Sequence, residues 1–469
     1  MTKTLFIHPS AHPTQPLYVL MPMGMISLLN AVDDGYCINV GLELALNPSY
    51  DVVRDITQTE FEAVAIDMHW HEHAYTSLQL ASICKTVNPD CTVILGGLTA
   101  SYFAEEILQN FPQVDAIVYG DGEEVLKNVV EPKRYEDIRG LFWKDEQKIR
   151  FNSPTKSTDN LDSYNVTDIA RMKHWEEYLK CTILGHMPNR IWNNFWLPIG
   201  KGCNENCPYC GGGKRSHRIL FGRNKMIYRS PDKIVEDILF LRDMGIHMIS
   251  FSTDFEILGK PFWKDLLAGI RREGIDIGAY LEVWQLPSHD FIEEFADTFD
   301  LRFSYLAITP ISGNNEIRAK NCKHFSNHDL LKKATLLEKK HLAYTLSFSV
   351  GVPFDTLKTT REAIKLSQYI FDHYASSIIF STPLILDPCS PMYEQPNLYN
   401  VVPHLRSFKD YYERCRKRAL DKAYDFHGYH TTQLSPENIE SQQIMWREFF
   451  QKNEHIVAIK SLVNYSHFL

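Results

Sequence analysis

The chain has 469 residues, a length that allows about two to four domains of ordinary size. Its 58 Asp and Glu residues outnumber its 49 Lys and Arg residues, so the formal net charge is −9. A chain this acidic is a poor candidate for nucleic-acid binding, which needs a basic footprint. The hydrophobic fraction of 44% is ordinary for a folded protein and argues against disorder as the main state.

The sequence predicts a cytoplasmic protein that does not contact membranes. No window offers the roughly 18 consecutive apolar residues that a membrane-spanning helix needs. The apolar run within Met1–Pro9 is too short for a signal peptide. Because the cytosol keeps thiols reduced, the ten cysteines are expected to serve a purpose other than disulfide formation.

Residues 1–135 alternate short β-rich runs with stretches of helical periodicity. The predicted strands are Thr4–His8, Cys37–Val40, Ala63–Met68, Thr92–Leu95 and Ala116–Tyr119. Stretches such as Met25–Val32, Ser77–Val87 and Tyr102–Asn110 are predicted to be helical. This alternation predicts a doubly wound parallel sheet, which binds its ligands at the carboxyl ends of the strands.

A second alternation follows a polar linker, predicted over residues 136–195, that holds one hairpin around Leu141–Ile149. Six strand–helix units then predict a partial (β/α)6 barrel over residues 196–390. Its predicted strands are Leu197–Lys201, His247–Thr253, Asp276–Glu282, Phe303–Thr309, Tyr344–Val350 and Ser377–Thr382. Residues 391–469 are predicted to form a helical carboxyl-terminal region. The whole chain is therefore predicted to belong to the α/β class.

Three cysteines lie close together with the spacing C-x3-C-x2-C, at Cys203, Cys207 and Cys210. Three thiolates can hold three irons of a four-iron cluster and leave the fourth iron open. Structural zinc would need a fourth ligand, for which His217 is the only near candidate. The other seven cysteines are interpreted as small core residues: Cys37, Cys84, Cys91, Cys181, Cys322, Cys389 and Cys415.

With Tyr209 before its last cysteine, and just after the first predicted barrel strand, this motif resembles that of the radical S-adenosylmethionine (SAM) superfamily. The resemblance implies that Cys203, Cys207 and Cys210 are catalytic residues and ligate a [4Fe–4S] cluster. In that family the open iron chelates SAM, and an electron from a reductant such as a flavodoxin or ferredoxin cleaves SAM to a 5′-deoxyadenosyl radical. Tyr209 is then expected near the adenine.

Later barrel loops strengthen the resemblance. Asp254 stands where the family has an acidic residue ending its second strand, and the turn at Val352 resembles the one that backs the adenine. Ser312 lies in a turn resembling the family's Glu-Ser-Gly, although Ile311 replaces the glutamate. Glu282, which ends the third predicted strand, could make the ribose contact that Ile311 cannot. The resemblance thus implies SAM contacts at Tyr209, Asp254, Glu282, Ser312 and Val352.

Glycine-rich turns after two strands of the first domain resemble the cobalamin-binding domain of one large class of these enzymes. Glycine after a strand lets a ligand approach the backbone closely. The resemblance implies cobalamin as a further cofactor. Its nucleotide tail is expected along Gly96, Gly97, Thr99, Gly120, Gly122 and Glu123.

The first domain departs from many cobalamin proteins because no Asp-x-His-x-x-Gly follows its first strand. The loop Asp67–His73 instead holds Asp-x-His without the glycine. Three interpretations stay open for this loop: a polar strand end, a cobalamin-facing segment, or a separate metal site. The last needs alternating histidines on an extended segment, which share one face.

The resemblance implies a cobalamin-dependent radical SAM methyltransferase that methylates an unactivated carbon of a small-molecule or natural-product substrate. The substrate is expected near the loop Leu386–Tyr393, which resembles the family's late substrate loop. The alternative is a radical SAM dehydratase, epimerase or rearrangement enzyme that keeps the domain without using cobalamin. A cobalamin or redox sensor is disfavoured, because an open iron is suited to bind SAM. The sequence does not indicate which substrate is used.

Overall fold

A computed structural model of the chain describes residues 3–16, 19–131, 134–146, 148–154, 159–180 and 193–454. The described residues do not include residues 181–192 of the predicted linker, among them Cys181. They also do not include residues 455–469 of the predicted carboxyl-terminal region. The chain divides into two compact units. The first comprises Met1–Pro188, Lys214–Ile227 and Leu405–Asp425, and the second comprises Asn189–Gly213, Tyr228–His404 and Phe426–Leu469.

Strands and helices alternate through the first 180 residues. The strands are β1 (Thr4–His8), β2 (Gly35–Asn39), β3 (Ala63–Asp67), β4 (Thr92–Gly96), β5 (Ala116–Val118), β6 (Leu141–Asp145) and β7 (Lys148–Asn152). The α-helices are α1 (Met23–Ala31), α2 (Val40–Leu46), α3 (Val52–Gln58), α4 (Ala74–Val87), α5 (Leu98–Tyr102), α6 (Ala104–Asn110), α7 (Glu123–Val130) and α8 (Trp175–Tyr178).

The alternation resumes at residue 194. The strands are β8 (Asn194–Trp196), β9 (Gly200–Lys201), β10 (Ile227–Tyr228), β11 (Met248–Phe251), β12 (Gly278–Val283), β13 (Tyr305–Ile311), β14 (Ala343–Val350), β15 (Ser377–Pro383), β16 (Val401–Pro403) and β17 (Tyr429–Thr431). The α-helices are α9 (Lys214–Phe221), α10 (Pro231–Asp243), α11 (Lys260–Arg272), α12 (His289–Thr298), α13 (Asn315–Lys320), α14 (Asn327–Lys339), α15 (Leu357–His373), α16 (Pro391–Glu394), α17 (Phe408–Ala419) and α18 (Pro436–Lys452).

The first unit contains a seven-stranded sheet in the order β2-β1-β3-β4-β5-β6-β7. Strands β1 to β5 are parallel, which confirms the predicted doubly wound sheet. The hairpin β6–β7 continues this sheet antiparallel to β5, so it extends the first sheet and does not stand apart in the linker. The chain passes from β2 back across β1 to β3, and the carboxyl ends of β1 and β3 therefore flank the point where ligands bind in such sheets.

The second unit contains a six-stranded sheet in the order β15-β14-β13-β12-β11-β8, with every pair parallel. This confirms the partial barrel. Its first strand is β8, however, and the predicted strand Leu197–Lys201 is wrong. Pairing with β11 ends at Trp196, and Gly200–Lys201 lies in a separate two-stranded sheet.

The end of the chain is less purely helical than predicted, because β16 and β17 pair as antiparallel strands between its helices. These strands are three residues long, too short for a periodic pattern to reveal. None of the helices in the described part of the chain has both the length and the apolar composition of a bilayer-spanning segment.

Candidate active site

The three clustered cysteines lie on one loop of the second unit, directly after β9. The Cys210 amide donates to the Cys207 carbonyl oxygen at 3.1 Å, which closes a turn between these two residues. The Glu205 amide donates to Cys203 Sγ at 3.3 Å. All three cysteines are free, and each residue is partly exposed.

This donor set consists of three thiols, the ligand type that holds iron–sulfur clusters. Among the described residues, no three His, Cys, Asp or Glu side chains are grouped as ligands of one metal ion. In a four-iron cluster each cysteine binds a different iron, so the sulfur atoms need not converge on one point. Three thiols on one short loop therefore suit the four-iron cluster that the spacing predicts.

The three thiols differ in acidity. Burial raises the pKa of Cys203 to about 11 and that of Cys210 to about 12. A hydrogen bond from the Cys322 thiol is the main influence on Cys207 and lowers its pKa, and the nearby Lys323 ammonium group acts in the same direction. Because iron binds the thiolate form, Cys207 is the most readily available ligand.

Cys322 was not recognised from the sequence as part of this site. It was interpreted as a small core residue, but the fold places its thiol against that of Cys207. That interpretation is wrong for Cys322, and no sequence spacing could have corrected it, since the contact joins the cysteine loop to the end of α13. By contrast, Cys37, Cys84, Cys91, Cys389 and Cys415 are buried as predicted.

The loop after β15 clamps the cysteine loop. The Gly211 amide donates to Asp387 Oδ2 at 3.1 Å, and the Met392 amide donates to the Pro208 carbonyl oxygen at 2.9 Å. The approach at Gly211 is so close that a Cβ atom there would lie 2.5 Å from the Pro388 carbonyl oxygen. The predicted substrate loop therefore borders the cysteines.

Tyr209 packs against a small apolar cluster built around Ile311, Ile317 and Val352. Two of these residues come from the turns after β13 and β14 that the sequence singled out. Ile311 replaces the family's glutamate and is 1% exposed, so apolar packing with Tyr209 occupies that position. Motifs far apart in sequence thus meet beside the cysteine loop.

Ser312 lies next to this cluster, but its polar groups bind the protein. Its Oγ accepts from the Asn314 amide at 3.2 Å, and its carbonyl oxygen accepts from Arg318 Nη2 at 2.7 Å. Ser312 is 3% exposed. These contacts hold the turn after β13 in place.

Asp254 is a buried carboxylate just beyond the end of β11. Its Oδ2 accepts from the Trp284 amide at 2.7 Å and its Oδ1 accepts from the Glu256 amide at 3.0 Å. Burial nevertheless outweighs both bonds and raises the pKa of Asp254 to about 6. Asp254 therefore joins the loops that follow β11 and β12.

Lys323 links the acidic residues to the cysteine loop, and the sequence did not single it out. The side chain is buried, and its Nζ donates to the Trp284 carbonyl oxygen at 2.8 Å. Its charge interacts with Asp254 and Cys207, and it also opposes the rise in the pKa of Glu282 that burial causes. Glu282 lies on β12 and accepts from the Tyr280 hydroxyl at 2.9 Å.

In the first unit, the predicted cobalamin turns lie at the ends of the neighbouring strands β4 and β5. The Gly120 amide donates to Ser101 Oγ at 3.2 Å, which connects the two turns. Gly96 is open, since a Cβ atom there would meet only Val118 at 3.8 Å. The Thr99 hydroxyl is hydrogen-bonded within the protein, because its Oγ1 donates to the His69 carbonyl oxygen at 2.8 Å.

Glu123 and Gly122 are also engaged within this unit. The Glu123 carboxylate is buried and accepts from Ser27 Oγ at 2.9 Å. A Cβ atom at Gly122 would lie 2.8 Å from Leu28 Cδ2. Of the six residues predicted to line the nucleotide tail, Gly96 has the clearest free space beside it.

The histidine loop is not extended as the metal-site interpretation requires, because His71–His73 forms a 3-10 turn. His8 Nδ1 and Asp67 Oδ2 lie 2.8 Å apart at the ends of β1 and β3. Burial opposes ionisation of Asp67, but the hydrogen bond and the nearby histidines outweigh it and lower its pKa to about 2. Burial lowers the pKa of His73 to about 3, so this ring is neutral.

Two family models match the chain. The radical SAM superfamily matches residues 197–367, and the B12 binding domain matches residues 15–130. These stretches contain the cysteine loop and the glycine turns. The two matches therefore fall on the two candidate sites described above.

Two curated relatives and one solved structure are similar to the chain over 60% to 95% of its length. An uncharacterized methyltransferase of Pyrococcus horikoshii, PH0819, is 24% identical over 377 residues, covering 77% of this chain and 76% of that protein. The hopanoid C-3 methylase of Methylococcus capsulatus is 22% identical over 288 residues, covering 60% of this chain and 51% of that protein. The radical SAM methyltransferase TsrM of Kitasatospora setae, solved with cobalamin and a [4Fe–4S] cluster bound, has a TM-score of 0.69 at 14% identity and covers 95% of this chain and 91% of TsrM.

Proposed function

Because the chain belongs to the radical SAM superfamily and carries a B12 binding domain, we propose that it is a cobalamin-dependent radical SAM methyltransferase acting on an unactivated carbon of a small molecule. The observation that carries the proposal is the packing of Tyr209, from the cysteine loop, against Ile311 and Val352. It brings together three motifs that the sequence resemblance assigns to SAM binding. Relatives named as methyltransferase and methylase support the reaction class.

The residues of the second unit would hold the cluster and SAM. When bound, the cluster supplies the electron that cleaves SAM to a 5′-deoxyadenosyl radical, and cobalamin supplies the methyl group. Cys203, Cys207 and Cys210 would ligate three irons. Tyr209 and Val352 would cover the adenine, and the packing around them would exclude water from the radical.

The polar residues of the same unit would orient SAM. Asp254 and Glu282 are buried carboxylates, and both interact with the charge of Lys323. A buried ammonium group beside two carboxylates suits a zwitterionic ligand, because each charge of the ligand finds an opposite charge. Ser312 would contribute by holding its turn in place.

The first unit would hold cobalamin along the open turn at Gly96, at the carboxyl end of β4. The lack of a side chain there leaves room for a nucleotide tail to approach the backbone. Gly97, Thr99, Gly120, Gly122 and Glu123 would shape this turn through their contacts with the protein.

The proposal extends to a cytoplasmic location and to a flavodoxin or ferredoxin as electron donor. The acidic chain gives no reason to include a nucleic acid among its partners.

Anaerobic reconstitution with iron, sulfide and hydroxocobalamin tests the proposal without knowledge of the substrate. With a strong reductant and SAM, the loaded protein is expected to form 5′-deoxyadenosine slowly and to methylate its reduced cobalamin, releasing S-adenosylhomocysteine. Both products are measured by mass spectrometry. 5′-Deoxyadenosine alone, from protein that retains no cobalamin, would instead support the dehydratase or epimerase alternative. Absence of both products would reject radical SAM chemistry.

A further inference from the structure

The turn Gly351–Pro353, which follows β14, is bound by side chains from near the end of the chain. The pairing of β14 with β15 reaches Val350, one residue before Gly351. The Gly351 amide donates to Gln442 Oε1 at 3.0 Å, and its carbonyl oxygen accepts from the Tyr429 hydroxyl at 2.6 Å. Side chains therefore bind both polar groups of the backbone at the point where the sheet ends.

A buried hydrogen-bond network fixes which way the Gln442 amide points. Gln442 is fully buried, and its Nε2 donates to Asp355 Oδ2 at 2.8 Å and to Thr360 Oγ1 at 2.6 Å. Because the amide nitrogen is used by these two acceptors, the amide oxygen is the atom that faces the Gly351 amide. An apolar side chain at position 442 would leave the Gly351 amide without this partner.

Tyr429 lies directly against the same backbone. A Cβ atom at position 351 would be 2.9 Å from the Tyr429 hydroxyl oxygen, and Gly351 has a φ angle of +81°. Both the close contact and the left-handed backbone favour glycine at this position. The tyrosine side chain is buried as well, so Gly351 and Tyr429 are fitted to each other.

The turn leads directly to a residue of the proposed SAM site. Val352 follows Gly351, is fully buried, and belongs to the apolar cluster against which Tyr209 of the cysteine loop packs. The Val352 carbonyl oxygen accepts from the Asp355 amide at 3.0 Å, so Asp355 is bonded both to this turn and to Gln442. A shift of Gly351 would therefore move Val352, the residue proposed to cover the adenine.

The two side chains that bind Gly351 come from outside the segment that matches the radical SAM superfamily, which ends at residue 367. Tyr429 lies on β17 and Gln442 lies on α18. The same region also binds the loop after β15, because His427 Nδ1 lies 2.6 Å from the Leu384 carbonyl oxygen. The turn is therefore held by the carboxyl-terminal region of this chain and not by the matching segment.

We propose that Gln442 and Tyr429 are positioning residues, which set the affinity for SAM by fixing the turn that covers its adenine. The inference rests on the proposed function, in which Val352 contacts the adenine. Both side chains act through the backbone of Gly351 and not by contact with SAM. Their loss should weaken binding of the nucleoside part of SAM and leave binding of the amino-acid part to the cluster unchanged.

Comparison of SAM with L-methionine tests this role without measuring turnover, because L-methionine lacks the adenine. The full chain is reconstituted with its cluster, and both dissociation constants are measured by anaerobic equilibrium dialysis. In Tyr429→Phe and in Gln442→Met we expect SAM to bind roughly tenfold more weakly, and L-methionine to bind within about twofold of wild type. Gln451→Met changes an exposed glutamine on the same helix and is the matched control, which should change neither constant.

An exchange of the two paired groups provides a rescue. Gln442→Glu alone places a second carboxyl group beside Asp355 and is expected to weaken SAM binding. Gln442→Glu combined with Asp355→Asn restores one donor and one acceptor between these positions, and the carboxylate at position 442 still accepts from the Gly351 amide. The double variant should therefore recover most of the affinity for SAM, which a general loss of packing would not allow.

The outcomes separate this inference from the proposed function. Unchanged affinity for SAM in folded Y429F and Q442M, both with a full iron content, would overturn the positioning role, even if their unfolding temperatures fall. Equal weakening of SAM and L-methionine, or a loss of iron, would also overturn it, because the variants would then disturb the whole site. Wild-type protein that assembles no four-iron cluster, or that does not bind SAM, would overturn the proposed function itself.

Discussion

Gly97 packs so closely against His69 that a Cβ atom at position 97 would lie 2.5 Å from the His69 amide nitrogen. The φ angle of Gly97 is +105°, a conformation that L-residues rarely adopt. Glycine at this position is therefore required by the fold of the first unit, whether or not a ligand passes nearby. A bulky residue at Gly97 would disturb the fold whether or not cobalamin binds there. Gly96 is therefore the better position at which to test cobalamin binding by substitution.

Substitution of the two adjacent glycines should separate folding from cobalamin binding. Gly97→Ala is expected to destabilise the first unit by at least about 1–2 kcal/mol, because it combines a left-handed backbone with a clash. Gly96→Leu is expected to fold nearly normally and to retain much less cobalamin. Thermal unfolding and the cobalt content of the purified protein measure the two effects. Normal cobalamin retention in folded Gly96→Leu would rule out a nucleotide tail along this turn.

Loss of any motif cysteine should abolish cluster assembly. Cys203→Ala, Cys207→Ala and Cys210→Ala each remove a thiolate that the motif cannot replace, so iron–sulfur absorbance and 5′-deoxyadenosine formation are expected to fall to background. Cys84 is the control, since burial raises its pKa to about 12 and keeps it a neutral thiol. An equal loss of iron in Cys84→Ala would show that the motif is not the sole source of ligands.

The clamp between the cysteine loop and the loop after β15 should depend on Gly211. In Gly211→Ala, the new Cβ atom would lie 2.5 Å from the Pro388 carbonyl oxygen, so one of the two loops must move. We expect a lower iron content after reconstitution and a lower unfolding temperature. Gly212→Ala is the matched comparison, because its Cβ atom would make only an ordinary contact of 3.9 Å with Cys210 Sγ. Equal unfolding temperatures in the two variants would argue against the clamp.

The buried carboxyl of Asp254 should make stability depend on pH. Burial raises its pKa from 3.8 to about 6, so the folded chain binds this proton more tightly than the unfolded chain does. The contribution of Asp254 to the free energy of unfolding therefore falls as the pH rises from about 4 to 6, by up to roughly 3 kcal/mol. Asp254→Asn cannot ionise.

The measurement is the difference in the free energy of unfolding between Asp254→Asn and wild type, taken on cofactor-free protein across this pH range. The free energy of unfolding of the variant should increase relative to that of the wild type as the pH rises. The lost hydrogen bond adds a difference that does not change with pH. A difference that is flat with pH, or that changes in the opposite sense, would mean that the two amide donors outweigh burial.

Local patterns were sufficient where a feature depends on neighbouring residues. The spacing of Cys203, Cys207 and Cys210 lies within one loop, and the alternation of apolar runs predicted both parallel sheets. The first barrel strand was misplaced by a few residues, because the apolar run from Leu197 continues past β8 although pairing with β11 ends at Trp196. The segment His71–His73 reads as alternating along the sequence, yet it turns because α4 begins directly after it.

The sequence by itself determined the class of fold and the motif for the iron–sulfur cluster, because periodicity and spacing are properties of short segments. Only the tertiary structure decided which distant residues complete the site. Cys322 and Lys323 lower the pKa of Cys207 although they follow α13, far from Cys207 in sequence. Gly97 is constrained by the backbone of His69, in the loop after the neighbouring strand β3. Such contacts arise from the packing of whole elements, and a chain read in one dimension does not contain the distances between them.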